Sequence, residues 1–256
     1  MTRFNELHVY LSPANHHKPY ANGATEKEQM ERLAPLVKNK LEKGYIGVVV
    51  HLPTVFHKNQ QYTGRPEEAK RRGCKAYVAE HTNACGSSAT GGTATGACGF
   101  YEPSDPISYN MAKEIVTSLN QICPIKSNRA VQPCVLPWQT MNLGEVREAA
   151  RYGMTAVLIE HEFHDRLDGA NWIVNNIEAI AEAEANAIAK ALGLRPRGDV
   201  NGDGKVNNLD AAQILKYDAG LTELSEEQKQ AADFNTDGKV NNLDASQILK
   251  YDAGII

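Results

Sequence analysis

The chain has 256 residues, of which 42% are hydrophobic and 23% charged, and a net charge of −4; these values exclude disordered and fibrous classes and suit one mid-sized globular domain plus a small module. Residues 199–256 hold 5 Lys/Arg against 11 Asp/Glu and the rest of the chain 22 against 20, so the body is nearly neutral, gives no case for nucleic acid, and is followed by an acidic tail. Apolar runs such as Ala156–Ile159 fall far short of the ~20 residues a membrane helix needs, so no membrane span is expected. Met1–Tyr10 carries Arg3, Glu6 and His8 and lacks the apolar segment of a secretory signal. This predicts a product made in the cytoplasm without a signal peptide. The five cysteines are odd in number and show no CxxC pair, which indicates neither a disulfide framework nor a thiolate zinc site. A Cys85–Cys98 bridge stays open.

In chain order, β-rich runs alternate with helical ones. Leu7–Ser12 reads as a strand, Glu26–Lys43 as a helix, Ile46–Leu52 as a strand and Arg65–Arg72 as a helix. Ala76–Glu80 follows as a strand, Ser108–Ile122 as a helix, Thr155–Glu160 as a strand, and Gly169–Leu192 as a closing helical run. This alternation predicts an α/β fold, a largely parallel twisted sheet flanked by helices. Gly86–Gly99 is low in complexity and is expected to be a loop, either solvated or gripping substrate.

In such sheets ligands bind beyond the carboxyl ends of the strands, and three of these ends are polar: Ser12–His17, Glu80–Ala84 and Glu160–Asp165. Two imidazoles and one carboxylate, with a fourth position open, make a catalytic zinc set. Tyr77–Ala84 (YVAEHTNA) and Thr155–Glu160 (TAVLIE) resemble the corresponding segments of the zinc-dependent N-acetylmuramoyl-L-alanine amidases of the type 3 class, found in autolysins and phage endolysins. The resemblance covers roughly residues 7–193. It implies His16, Glu26 and His81 as zinc ligands and Glu160 as the catalytic base. The turn Ser12-Pro13-Ala14-Asn15-His16-His17 departs from the family's usual D-P-G-H-G-G form, which leaves His17 as a rival to His16. Glu28 is a milder rival to Glu26, which also suits a helix start after Thr25. Glu160 ends an apolar strand, where an uncompensated carboxylate would be costly. His161, Glu162, His164 and Asp165 are expected to be supporting groups, with His164 able to reach substrate; His8, His51 and His57 carry no such context. The implied reaction is hydrolysis of the amide between N-acetylmuramic acid and L-alanine in peptidoglycan.

The tail is a repeat. DVNGDGKVNNLDAAQILKYDAG from Asp199 returns as DFNTDGKVNNLDASQILKYDAG from Asp233. Each copy opens D-x-N-x-D-G, whose spacing turns alternate oxygens into a calcium loop around a glycine. The expected ligands of two structural calcium ions are Asp199, Asn201, Asp203, Asn207 and Asp210, then Asp233, Asn235, Asp237, Asn241 and Asp244, with Lys205 and Lys239 contributing backbone carbonyls. A loop followed by one helix, twice, resembles a type I dockerin, so a small all-α tandem module follows the sheet domain. That resemblance implies a cohesin partner, although Asn208-Leu209 and Asn242-Leu243 stand where the family often has a hydroxyl pair; a cell-wall component or self-association are the other expected roles.

These readings divide the chain into a zinc amidase domain (residues 1–193), a linker (194–198) and a dockerin-like module (199–256). The function expected first is a phage or prophage endolysin that reaches the wall after holin-type or lytic release. The alternatives are a dockerin-bearing component of an extracellular enzyme complex and a non-catalytic wall-binding protein.

Overall fold

The computed structural model describes residues 6–54, 61–86, 91–127, 131–133 and 143–256. His57, Cys134 and part of the glycine-rich stretch lie outside them. The strands are β1 (Leu7–Pro13), β2 (Val48–His51), β3 (Ala76–Asn83), β4 (Cys98–Tyr101), β5 (Gln132–Pro133) and β6 (Thr155–Phe163). They form one sheet in the order β2-β1-β3-β6-β4-β5. β1 runs parallel to β3 and β3 to β6, β4 and β5 are parallel to each other, and β4 is antiparallel to β6. The flanking helices are α1 (Glu26–Gly44), α2 (Gly64–Arg71), α3 (Pro106–Ile122), α4 (Gly144–Arg151), α5 (Leu167–Asn175) and α6 (Ile177–Leu192). The α/β architecture expected from the alternation is therefore present.

Seven of the eight residues of β3 are buried, as a central parallel strand covered on both faces requires. Burial draws Tyr10, Tyr77 and Ala156 into one apolar cluster with Phe100, Val146 and Phe163. α3 starts where Asp105 accepts from the Ile107 N–H at 2.9 Å with Pro106 beside it, an N-cap with proline in the first turn. The other oxygen of Asp105 takes the Thr155 hydroxyl at 2.7 Å, which ties the start of that helix to the start of β6.

Three elements differ from the sequence expectation. The end of the Gly86–Gly99 stretch is not loop but the beginning of β4. There Gly99 lets helix α3 come close, since a Cβ would stand 2.9 Å from a Val116 methyl. Gly169–Leu192 is two helices, broken at Asn176, whose side chain and N–H both bond the Trp172 carbonyl. Helix α4 was not read from the sequence. Among the described residues, no helix is long and apolar enough to cross a membrane.

The chain divides into two compact units, one of Leu7–Leu41 with Val49–Leu192 and one that gathers Glu42–Val48 with Gly193–Ile256. In the second unit α7 (Asn208–Asp218), α8 (Glu226–Ala232) and α9 (Asn242–Asp252) enclose a core that includes Val200, Leu224, and the equivalent pair Ile214 and Ile248. Burying each of those isoleucines is worth ~1.5–3 kcal/mol. α8 is additional to the loop-plus-helix repeat; its Ser225 and Gln228 form a reciprocal cap. The segment 194–198, expected as a linker, is fastened within this unit. The Ile46 N–H donates to the Arg195 carbonyl at 3.0 Å and the Arg197 N–H to the Gly44 carbonyl at 2.8 Å. The Arg197 guanidinium bonds the carbonyls of Lys43, Gln230 and Asp233.

Candidate active site

A cavity of about 270 Å³ opens beyond the ends of β1, β3 and β6, with His16, Glu26, His81, Glu160 and His164 among its lining groups. His16 follows β1, Glu26 opens α1, His81 ends the regular part of β3, and Glu160 stands opposite His81 across the ladder. Glu26 Oε1 lies 3.2 Å from His81 Nδ1 and also accepts the Thr82 N–H at 3.1 Å. The His16 ring centre is 5.5 Å from that of His81, and Tyr62 stacks obliquely beyond it. Of the two rivals, His17 and Glu28 are exposed, whereas Glu26 is buried. As the side chains stand, no three His, Cys, Asp or Glu groups among the described residues converge on one metal position.

The electrostatics separate the carboxylates. Burial pushes Glu160 up to about 7, against the pull of His81 and with a further push from Glu26; its Oε2 is buried and has no hydrogen-bond partner. Burial would raise Glu26 as well, but the hydrogen bond with His81, its charge, and the Thr82 N–H outweigh this and hold Glu26 below the ordinary carboxylate range. Burial works against the His81 cation, yet the hydrogen bonds with Glu145 and Glu26 prevail and raise it well above an ordinary histidine. One carboxylate kept ionised beside one kept near neutrality is a common division between a binding group and a proton-transfer group. Burial lowers His164, so it lines the cavity as a neutral ring, stacked on Tyr20 with centroids 4.8 Å apart and hydrogen-bonded to Thr82 at 2.9 Å.

The tail carries two equivalent loops. Asp199 accepts the N–H groups of Gly202, Asp203 and Gly204, and Asp210 those of Val200, Asn201 and Asn207. Asp233 and Asp244 repeat this pattern with Asp237, Gly238, Asn235 and Asn241. Asn201 and Asn235 accept from Asp203 and Asp237, whose own carboxylates accept the N–H of Lys205 and Lys239. Asn207 and Asn241 cap α7 and α9, their side-chain oxygens accepting from Leu209 and Leu243.

Residues 14–190 match the family model described as N-acetylmuramoyl-L-alanine amidase. The chain belongs to that family. Residues 197–251 match the type I dockerin domain, so a dockerin follows the amidase. Among solved structures, the amidase AmiC2 of Nostoc punctiforme is similar at 23% identity and a TM-score of 0.58, covering 73% of this chain and 97% of its own. An N-acetylmuramoyl-L-alanine amidase from Clostridium difficile 630 is similar at 20% identity and a TM-score of 0.58, covering 74% and 96%. The catalytic domain of an endolysin targeting Clostridia difficile is similar at 17% identity and a TM-score of 0.51, covering 73% and 98%. At these identities the likeness concerns the fold. No curated protein matches the chain.

The amidase therefore acts on peptidoglycan, in a family that is zinc-dependent, and it carries a module of a calcium-binding, cohesin-docking type. The dockerin favours the alternative raised from the sequence, a component of an extracellular complex, over a phage lysin freed by a holin. Two groups around the amidase site, Glu145 and Glu184, escaped the sequence reading, and the full burial of a third, Glu80, was not foreseen. Glu145 of α4 is buried against His81 at 3.2 Å. Glu184 of α6 pairs with His161 at 2.9 Å, and His161 in turn bonds the His81 carbonyl. Glu80 is fully buried without a hydrogen-bond partner, and burial, helped by Glu184, raises it well above an ordinary carboxyl. Neither Glu145 nor Glu184 lies in a recognisable motif, whereas Glu80 stands inside the Tyr77–Ala84 segment. Cys85 and Cys98, considered as a bridge, are both free thiols.

Proposed function

We propose that His16, Glu26 and His81 hold the zinc of this amidase, that Glu160 is its general base and acid, and that the dockerin docks the enzyme to a cohesin outside the cell. The observation that carries the site is the Glu26–His81 pair. Their donor atoms are 3.2 Å apart, close to the spacing of two ligands each ~2.0–2.2 Å from one tetrahedral ion, and His16 stands on the same cavity wall. The donor set of two imidazoles and one carboxylate suits catalytic zinc, with His16 closing on the pair. Zinc there supplies Lewis acidity at the scissile carbonyl.

The chain's own groups do the rest. Glu160, unpartnered at Oε2 and raised toward neutrality by burial, takes a proton from the attacking water and returns it to the departing alanine amine. Glu26 stays ionised and keeps its charge for binding. His164, neutral and fixed by Tyr20 and Thr82, offers a hydrogen bond to the substrate from the cavity wall.

Mass spectrometry of peptidoglycan digests tests the activity: new L-alanine amino termini without new reducing sugars are expected. Metal analysis of the purified protein should give about one zinc per chain, in keeping with a single catalytic site of this type. Titration of the protein with a purified type I cohesin, with calcium and with EGTA, tests the docking. Calcium-dependent binding is expected, and its absence would transfer the dockerin surface to a wall component or to a second copy.

A further inference from the structure

We infer that Glu145 is a positioning residue for His81, holding a proton on Nε2 so that Nδ1 is the ring nitrogen offered to the cavity. Glu145 sits in the first turn of α4 and is 1% exposed. Its Oε1 accepts the hydroxyls of Ser12 at 2.6 Å and Tyr77 at 2.7 Å. Its Oε2 accepts the Gln61 amide at 2.9 Å and faces His81 Nε2 at 3.2 Å. The other ring nitrogen, Nδ1, faces Glu26. A buried carboxylate is an acceptor only, so a bare Nε2 lone pair against it would be repulsive, whereas an Nε2–H donates to it.

Gln61 is a further donor, its nitrogen 2.9 Å from Glu145 Oε2 and 3.2 Å from His81 Nε2. Its Oε1 accepts the Asn15 N–H at 3.0 Å, so its amide nitrogen must turn toward Glu145 and His81. Three donors, from Ser12, Tyr77 and Gln61, thus converge on Glu145 from β1, β3 and the segment before α2 and hold its carboxylate against His81. A ligating histidine is oriented by the acceptor that holds its other N–H, and losing such an acceptor typically costs 10–100-fold in metal affinity. The rival arrangement places the proton on Nδ1, with Nε2 accepting from Gln61.

This inference rests on His81 being a zinc ligand, and the experiment separates the two. Zinc affinity is measured by chelator competition for the full chain and for Glu145→Gln, with melting temperature recorded for both, and the His81 tautomer is read by long-range 15N–1H NMR on the zinc-loaded wild type. Expected are an Nε2–H signal and roughly 10–100-fold weaker zinc binding in the variant with its fold retained. Wild-type protein that takes up no zinc defeats the reading of His81 itself. Wild-type uptake that Glu145→Gln leaves unchanged, or an Nδ1–H signal in the loaded protein, overturns the inference alone. Should Glu145→Gln not fold, Tyr77→Phe, which removes one donor from the Glu145 carboxylate, is expected to weaken zinc binding a few-fold, and the wild-type tautomer still decides.

Discussion

His81 and Glu160 are register partners across the parallel ladder of β3 and β6. The ladder shifts register immediately beyond His81 before Asn83 pairs with Phe163, and at this irregularity the two strands wall the cavity. A parallel pairing brings the carboxyl ends of both strands to the same edge, so a side chain for binding and one for proton transfer stand together although 79 positions separate them in the chain.

The first prediction concerns the division of labour at that edge. Glu160→Gln should lower turnover by a factor of about 10²–10⁴, the usual contribution of a general base, while zinc content and melting temperature stay near those of the wild type. A variant that loses zinc together with activity would make Glu160 a ligand.

His16 lines the cavity and His17 is exposed. His16→Ala is therefore expected to reduce bound zinc markedly and His17→Ala to leave it near the wild-type level, as measured by atomic emission on dialysed protein. Equal losses would assign the ligand to either ring of the turn.

The two dockerin loops differ at their fourth position. Gly202 and Thr236 both adopt positive φ, +79° and +60°, but a β-branched residue is strained there by ~1–2 kcal/mol. The second loop should bind calcium more weakly than the first, and Thr236→Gly should raise its affinity in isothermal titration. Two equal affinities in the wild type would show that the strain is relieved elsewhere in the loop.

Arg197 joins the carbonyls of Lys43, Gln230 and Asp233 within one compact unit. Asp233 opens the second calcium loop, so calcium removal should deprotect the amides of Glu42–Val48 together with the tail in hydrogen exchange. Arg197→Ala should weaken the response at Glu42–Val48, where backbone bonds to residues 195 and 197 remain, while the tail still answers to calcium.

Glu68 supplies a pH dependence away from the cavity. Burial alone would raise it, but hydrogen bonds from Thr54 and Tyr10 and the charge of Arg72 hold it below its ordinary 4.5. A depressed carboxylate stabilises the fold above its unfolded value, and that stability fades as pH falls from about 4.5 through the folded value. Chemical denaturation of Glu68→Gln should accordingly show lower stability than the wild type at neutral pH and a difference that shrinks as the solution is acidified.

How much of this was legible beforehand depends on the range of the interactions concerned. The two dockerin loops are local devices, since D-x-N-x-D-G and its closing Asp lie within twelve consecutive residues, and backbone N–H groups of the same loop satisfy Asp199 and Asp210. Their pattern could be read directly, as could the strand and helix periods that set the α/β alternation. Burial also left a trace in the sequence where Glu160 interrupts an apolar strand. Glu145 left none. Its role exists because α4 brings it against His81, Gln61 and Ser12, residues up to 133 positions distant, and no local period records such a meeting. The pairing of β4 antiparallel to β6 and the fastening of residues 194–198 to Gly44 and Ile46 have the same origin. The sequence by itself determined the two repeated loops and the main strand and helix alternation, because those depend on near neighbours; tertiary structure alone decided which buried carboxylates meet which histidines, because desolvation and hydrogen bonding depend on what packs around a group in space.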